Sequence, residues 1–105
     1  MTQNEVVVKR WPHDKTPDET EIRKLVADEG LHFYPWSNRP GDVYNVHTHS
    51  YHKVIYVLQG SITFGLPDKG DKAVLNAGDR LELPAGTPHD AVVGNQGVVC
   101  LEADQ

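Results

Sequence analysis

Gly41-Asp42-Val43-Tyr44-Asn45-Val46-His47-Thr48-His49, running on through His52 and Lys53 to Gly60, is the stretch on which the reading of this chain turns. Three of the chain's six histidines fall between positions 47 and 52. His47 and His49 stand two apart, and in an extended strand that spacing puts both side chains on one face. Two imidazoles on a rigid strand make half of a metal site that needs nitrogen ligands. The remaining sequence has to supply the other half.

At 105 residues the chain has the length of one domain, with room for one core and one pocket. Nine glycines and seven prolines predict many turns and therefore a β architecture. A net charge of −5 argues against a nucleic-acid surface, which needs a basic stripe that Lys9-Arg10 is too short to provide. One cysteine excludes an internal disulfide framework and fits a reducing compartment. The apolar run Val54-Ile55-Tyr56-Val57-Leu58 is far below the ~20 residues of a membrane-spanning helix, and the N-terminus shows no apolar signal core. These features predict a soluble, cytoplasmic protein with neither nucleic acid nor membrane as partner.

Taken outward from the histidines, Glu5 to Trp11 predicts a valine-rich first strand that pairs with a sheet edge or with another subunit, the basis for expecting a homodimer. Thr16, Pro17 and Glu19 predict a capped helix start. Ile22, Leu25 and Val26 form its apolar stripe, and Gly30 stops it. Residues 1–30 are thus expected as an N-terminal strand and helix, and 31–105 as a barrel. Pro35 makes Leu31 to Asn38 an edge or bulged strand, with Phe33 and Trp36 in the core or a dimer surface. Lys53 to Leu58 is expected as a strand, Gly60 as a tight turn and Ser61 to Phe64 as the return strand. Arg80 to Leu83 alternates wet and dry faces. Gly94-Asn95-Gln96-Gly97 is expected as a turn before a last strand, Val98 to Glu102. Short strands at regular spacing predict an all-β sandwich or barrel.

His89 follows the tight loop Pro84-Ala85-Gly86-Thr87-Pro88 and opens a strand, a rigid placement for a third ligand. Gly41, His47, His49 and Gly60 resemble the first cupin motif. Gly78, Pro84, Gly86 and His89 resemble the second, joined by the short connector usual in small microbial cupins. The resemblance covers about residues 31 to 102. It implies a double-stranded β-helix (jelly-roll) barrel, with the helix packed outside. It also implies that His47, His49 and His89 point inward to bind a divalent transition metal. Three neutral imidazoles suit Fe, Zn, Ni or Cu better than Mg or Ca.

Two positions depart from the family pattern: Lys53 stands where a glutamate is usual, and Val93 where an asparagine is frequent. A dication and an ammonium about 6 Å apart repel by roughly 5 kcal/mol at an effective dielectric near 20. Lys53 must therefore lose its proton or swing its stem to water. Otherwise the site holds no metal and binds an anion. His52 is a candidate fourth ligand only if the corner at Ser50-Tyr51 resets the strand parity, which otherwise turns it to the other face. Without a metal, the three histidines would be buried, hydrogen-bonded core residues. Ile62, Phe64, Leu81, Leu83 and Val93 are candidates for an apolar wall. Tyr56 and Leu58 are expected to face away, and Cys100 to be a small buried residue.

Three functions follow. One is a metal-dependent enzyme on a small organic, possibly anionic, substrate, of oxygenase or isomerase type. Some cupins resembling this arrangement are three-histidine iron dioxygenases. Lys53 would then be the catalytic acid/base or the anchor for a substrate carboxylate. The second is a non-catalytic module that binds or senses a small molecule. The third is a metal-free cupin with His/Lys acid–base chemistry, like the sugar-nucleotide epimerases, although no basic cluster for a diphosphate is evident. Fold alone does not choose among them.

Overall fold

The structure is a computed structural model that describes residues 5–105. In chain order its elements are β1 (Val7–Lys9), α1 (Glu19–Asp28), β2 (Tyr34–Asn38), β3 (Val43–His47), β4 (Lys53–Leu66), β5 (Asp71–Asn76), β6 (Arg80–Leu83) and β7 (His89–Asp104), with a single 3-10 turn at Pro67–Lys69. The strands join one antiparallel sheet in the order β1-β6-β4-β7-β2, with β3 added on β7 and β5 on β4. None of the described helices is long and apolar enough to cross a membrane.

The first half of β4, Lys53 to Tyr56, pairs with β6, and the second half, Ser61 to Leu66, pairs with β5. β7 divides in the same way, carrying β3 near its start and β2 near its end. Each long strand therefore runs through two layers. Between them lies the core of Ile55, Val57, Ile62, Phe64, Leu75, Leu81, Leu83, Val93 and Cys100, all buried.

Gly60 is not the hairpin turn that its position suggests. β4 continues through it, with register shifts against β7 on either side. Its φ is +76°, and a Cβ there would lie 1.9 Å from the Gly97 carbonyl oxygen. Glycine serves here for close backbone approach and a left-handed bend, the second meaning of a glycine inside a strand. The expected turn at Gly94–Gly97 is likewise absent, because β7 runs unbroken through it. A Cβ on Gly94 would meet Ser61 Oγ at 2.0 Å, so the two strands bend past one another at matching positions.

β1 pairs with β6 of the same chain, Val8 opposite Leu81, so it covers a sheet edge of its own chain and is itself the outermost strand there. The helix begins later than the Thr16 cap predicts. Asp18 is the N-cap: its Oδ1 accepts from Glu21 N at 2.8 Å, and Glu21 Oε1 accepts from Asp18 N at 3.0 Å. A carboxylate is the stronger acceptor, and Thr16 and Asp18 both stand three residues ahead of a glutamate. Ile22 is fully buried on the outer sheet face against Tyr56, Leu58 and Leu101, with Val26 and Phe33 beside them. One such side chain contributes about 2–3 kcal/mol. Leu25 stays outside the stripe and is exposed.

The end of α1 is clamped to the sheet. Arg80 donates from Nε and Nη2 to both Glu29 oxygens at 2.8 Å, and from Nη1 to Glu82 Oε2 at 2.9 Å. Tyr56 donates its hydroxyl to Glu29. Burial pushes Glu29 up, but the hydrogen bonds from Arg80 and Tyr56 outweigh it and hold the carboxyl below its usual value.

Candidate metal centre

The two motifs meet. His47 ends β3 and stands directly opposite His89, the first residue of β7. His49 lies just beyond the strand rather than in it, because β3 stops at His47 after a register shift from Tyr44. Its placement comes from the other motif, since Gly86 N donates to the His49 carbonyl at 2.8 Å. Ring centroids are 4.8 Å apart for His47 and His49, 4.3 Å for His47 and His89, and 5.2 Å for His49 and His89. One ligand nitrogen from each of the three lies within 4.8 Å of the others.

Backbone carbonyls orient two of the rings. His47 Nδ1 donates to Asn45 O at 2.6 Å, and His89 Nδ1 to Thr87 O at 2.9 Å. With the proton held on Nδ1, the Nε2 lone pair of each ring is free for an ion, the usual arrangement behind a metal-bound histidine. Burial lowers the pKa of His49 and His89, with Lys53 and the neighbouring histidines adding to it, so both are neutral, as ligation requires. Two nitrogens about 2.1 Å from one ion stand roughly 3–3.5 Å apart. Closing the set is therefore a side-chain adjustment, and the donors fit a transition ion.

Lys53 does not swing its stem to water but keeps Nζ inside. Its Nζ donates to His49 Nε2 at 3.1 Å and lies 3.5 Å from Glu102 Oε2. At that separation the pair attracts by about 5 kcal/mol at the same effective dielectric, comparable to the repulsion expected from a dication. Glu102 was not a site candidate in the sequence, although Val98, Cys100 and Glu102 alternate on one strand face and the first two are core. Its carboxylate is buried and accepts from Trp36 Nε1 at 2.9 Å and from the Tyr34 hydroxyl at 2.6 Å. Burial and the Asp104 carboxyl raise its pKa, opposed by Tyr34 and Lys53. The same tyrosine hydroxyl lies 2.9 Å from Asp104 Oδ2.

A cavity of about 320 Å³ holds the three histidines, Lys53 and Glu102 and is walled by Tyr34, Trp36, Tyr44, Tyr51, Ile62 and Phe64. Trp36, expected in the core or a dimer surface, is a cavity-lining residue as well as a neighbour of the core. Tyr51 stacks on His49 at 4.9 Å. Leu81, Leu83 and Val93 belong to the core and do not line the cavity. His52 faces away and pairs with Glu82 at 3.0 Å, as its parity predicts, so it is outside the ligand set. Tyr56 and Leu58 also face outward. Cys100 is a buried thiol pushed up to about 12 by desolvation, hence unreactive.

A two-layered jelly roll with imidazoles from two separate motifs gathered inside it defines a class of small β proteins built around a polar cavity. The chain belongs to the cupin family, whose Cupin domain matches residues 36–102. Acireductone dioxygenase 4 of Oryza sativa subsp. japonica is 26% identical over 113 residues, covering 92% of this chain and 61% of that protein. The chain thus spans less than two thirds of that relative's length. An RmlC-like cupin from Shewanella frigidimarina NCIMB 400 superposes with a TM-score of 0.61 at 27% identity, over 70% of this chain and 64% of that one. The polyketide cyclase RemF from Streptomyces resistomycificus gives 0.60 at 29% identity, over 75% and 58%.

Proposed function

We propose that this cupin is a metal-dependent enzyme in which His47, His49 and His89 hold a divalent transition ion, Fe, Zn, Ni or Cu. Its substrate is a small organic anion received in the aromatic cavity. The observation that carries this reading is the pair of Nδ1-to-carbonyl hydrogen bonds that leave Nε2 of His47 and His89 free. The similarity to a dioxygenase over 92% of this chain supports an oxygenase-type reaction. When bound, the ion supplies Lewis acidity and open coordination positions. Lys53 anchors the anionic group of the substrate, Glu102 holds Lys53, and the aromatic walls exclude water from the bound molecule.

Elemental analysis of the purified protein tests this reading. One metal per chain, lost in His49→Ala, is the expected result. A metal-free protein that still turns over a substrate would replace it with the His/Lys acid–base reading, which the His49–Lys53 hydrogen bond favours.

The reading extends to a homodimer. Val43 and Val46 on β3 are exposed, as is Val92 opposite Val43, and β3 pairs only with β7 among the described strands. An apolar strand edge of this kind is a surface for pairing. A light-scattering mass of two chains is expected.

A further inference from the structure

The metal-facing nitrogen of His49 already has an occupant. Two rings of the set have Nε2 open, but His49 Nε2 accepts from Lys53 Nζ at 3.1 Å, while Nδ1 of that ring lies 3.1 Å from the Tyr51 hydroxyl. With Nε2 accepting, Nδ1 carries the proton and donates to Tyr51. An ion and Lys53 cannot share one lone pair.

Resting on the metal-site reading above, we propose that Lys53 is a displaceable plug of the site. It holds His49 in the ion-free protein and moves onto Glu102 when an ion takes His49. Glu102, a positioning residue from the last strand, then supplies the negative charge that lets a dication and a lysine occupy one cavity.

Three features support the exchange. The receiving carboxylate is only 3.5 Å from Nζ, so the move is a short torsion of the lysine stem. Glu102 is fixed on its other sides by Trp36 and Tyr34, so it waits in place rather than following the lysine. Lys53 is directly opposite Asp104 in the β4–β7 ladder, which adds a second carboxylate, held 2.9 Å from the same Tyr34 hydroxyl that binds Glu102. The displaced ammonium therefore moves from a neutral imidazole toward negative charge and stays within the same cavity.

The test is isothermal titration of Zn²⁺ at one neutral pH into the wild type, Lys53→Met, Glu102→Gln and the double variant. Circular dichroism confirms folding, and Lys53→Gln serves as the second lysine variant. Removing the plug is expected to tighten binding at least tenfold. Glu102→Gln is expected to weaken it 10- to 100-fold, the range for residues that orient metal ligands. That loss should shrink at least threefold when Lys53→Met is also present. Affinities within twofold of wild type in every variant would overturn the exchange and leave the metal site standing. Binding that appears only once Lys53 is replaced would support the plug and refute a resident metal in the natural protein. No binding in any variant would refute both.

Discussion

His47 and His89 face each other as a registered pair across β3 and β7, ring centroids 4.3 Å apart, each anchored through Nδ1 to the carbonyl two residues before it. This geometry dictates the tautomer. Long-range ¹H–¹⁵N spectra of the ion-free protein should show both rings, in their neutral form, protonated at Nδ1. Protonation at Nε2 would mean that the lone pairs point away from the cavity.

Ligand binding to the native state adds stability by mass action. At Zn²⁺ one hundredfold above its Kd, the gain is about 2.7 kcal/mol, or roughly 10 °C in Tm for a domain of this size. His47→Ala should abolish the increment in a thermal melt, and a chelator should reverse it in the wild type.

Acid should weaken the ion-free fold in a defined window. His49 and His89 are lowered from 6.5 mainly by burial. The unfolded chain then binds more protons, so their contribution is fully present above pH 6.5 and is lost as pH falls through the depressed values. Glu102 acts in the opposite sense. Its raised pKa gives stability that is present below the usual carboxylate value of 4.5 and is lost as pH rises through the folded value. Urea midpoints of the wild type should therefore fall as pH drops below 6.5, and a flat profile from pH 7.5 to 5.5 would contradict the burial of the two rings.

Gly60 and Gly86 both have positive φ, +76° and +79°, but only Gly60 is crowded. Gly86→Ala should cost about 1 kcal/mol, from backbone strain alone. Gly60→Ala adds a collision with the Gly97 carbonyl and should cost about 3 kcal/mol or more. Equal losses in chemical denaturation would contradict the close approach at the bend.

Arg80 joins Glu29 at the end of α1 to Glu82 on the sheet. Arg80→Met leaves two partly buried carboxylates without their cation. Breaking a fully buried pair costs about 3–5 kcal/mol, so with some exposure a loss of about 2–3 kcal/mol is expected. Amide exchange should rise first in α1, since the clamp holds that element.

The motif spacing made the three histidines legible, strand parity the outward turn of His52, and the apolar stripe and Gly30 the helix, because each is a local pattern. The bends at Gly60 and Gly94 were not. A glycine marks a turn and a bulge equally, and only the partner strand passing at contact distance decides between them. The Lys53–Glu102 relationship was hidden for a similar reason. Alternation puts Glu102 on the same face as Cys100, but nothing local says that β7 brings this face beside Lys53, Tyr34 and Trp36. The missing motif glutamate is four residues after His49, whereas the carboxylate in the cavity is 53 residues after it.

Leu101 and Glu102 are neighbours on β7 that serve opposite sides of the sheet, one under the helix and the other in the cavity. A single peptide plane therefore links the protein's exterior to its interior. The backbone that seats α1 on Leu101 is the backbone that carries the carboxylate beside Lys53, so a substitution under the helix is one peptide away from the cavity without touching any histidine.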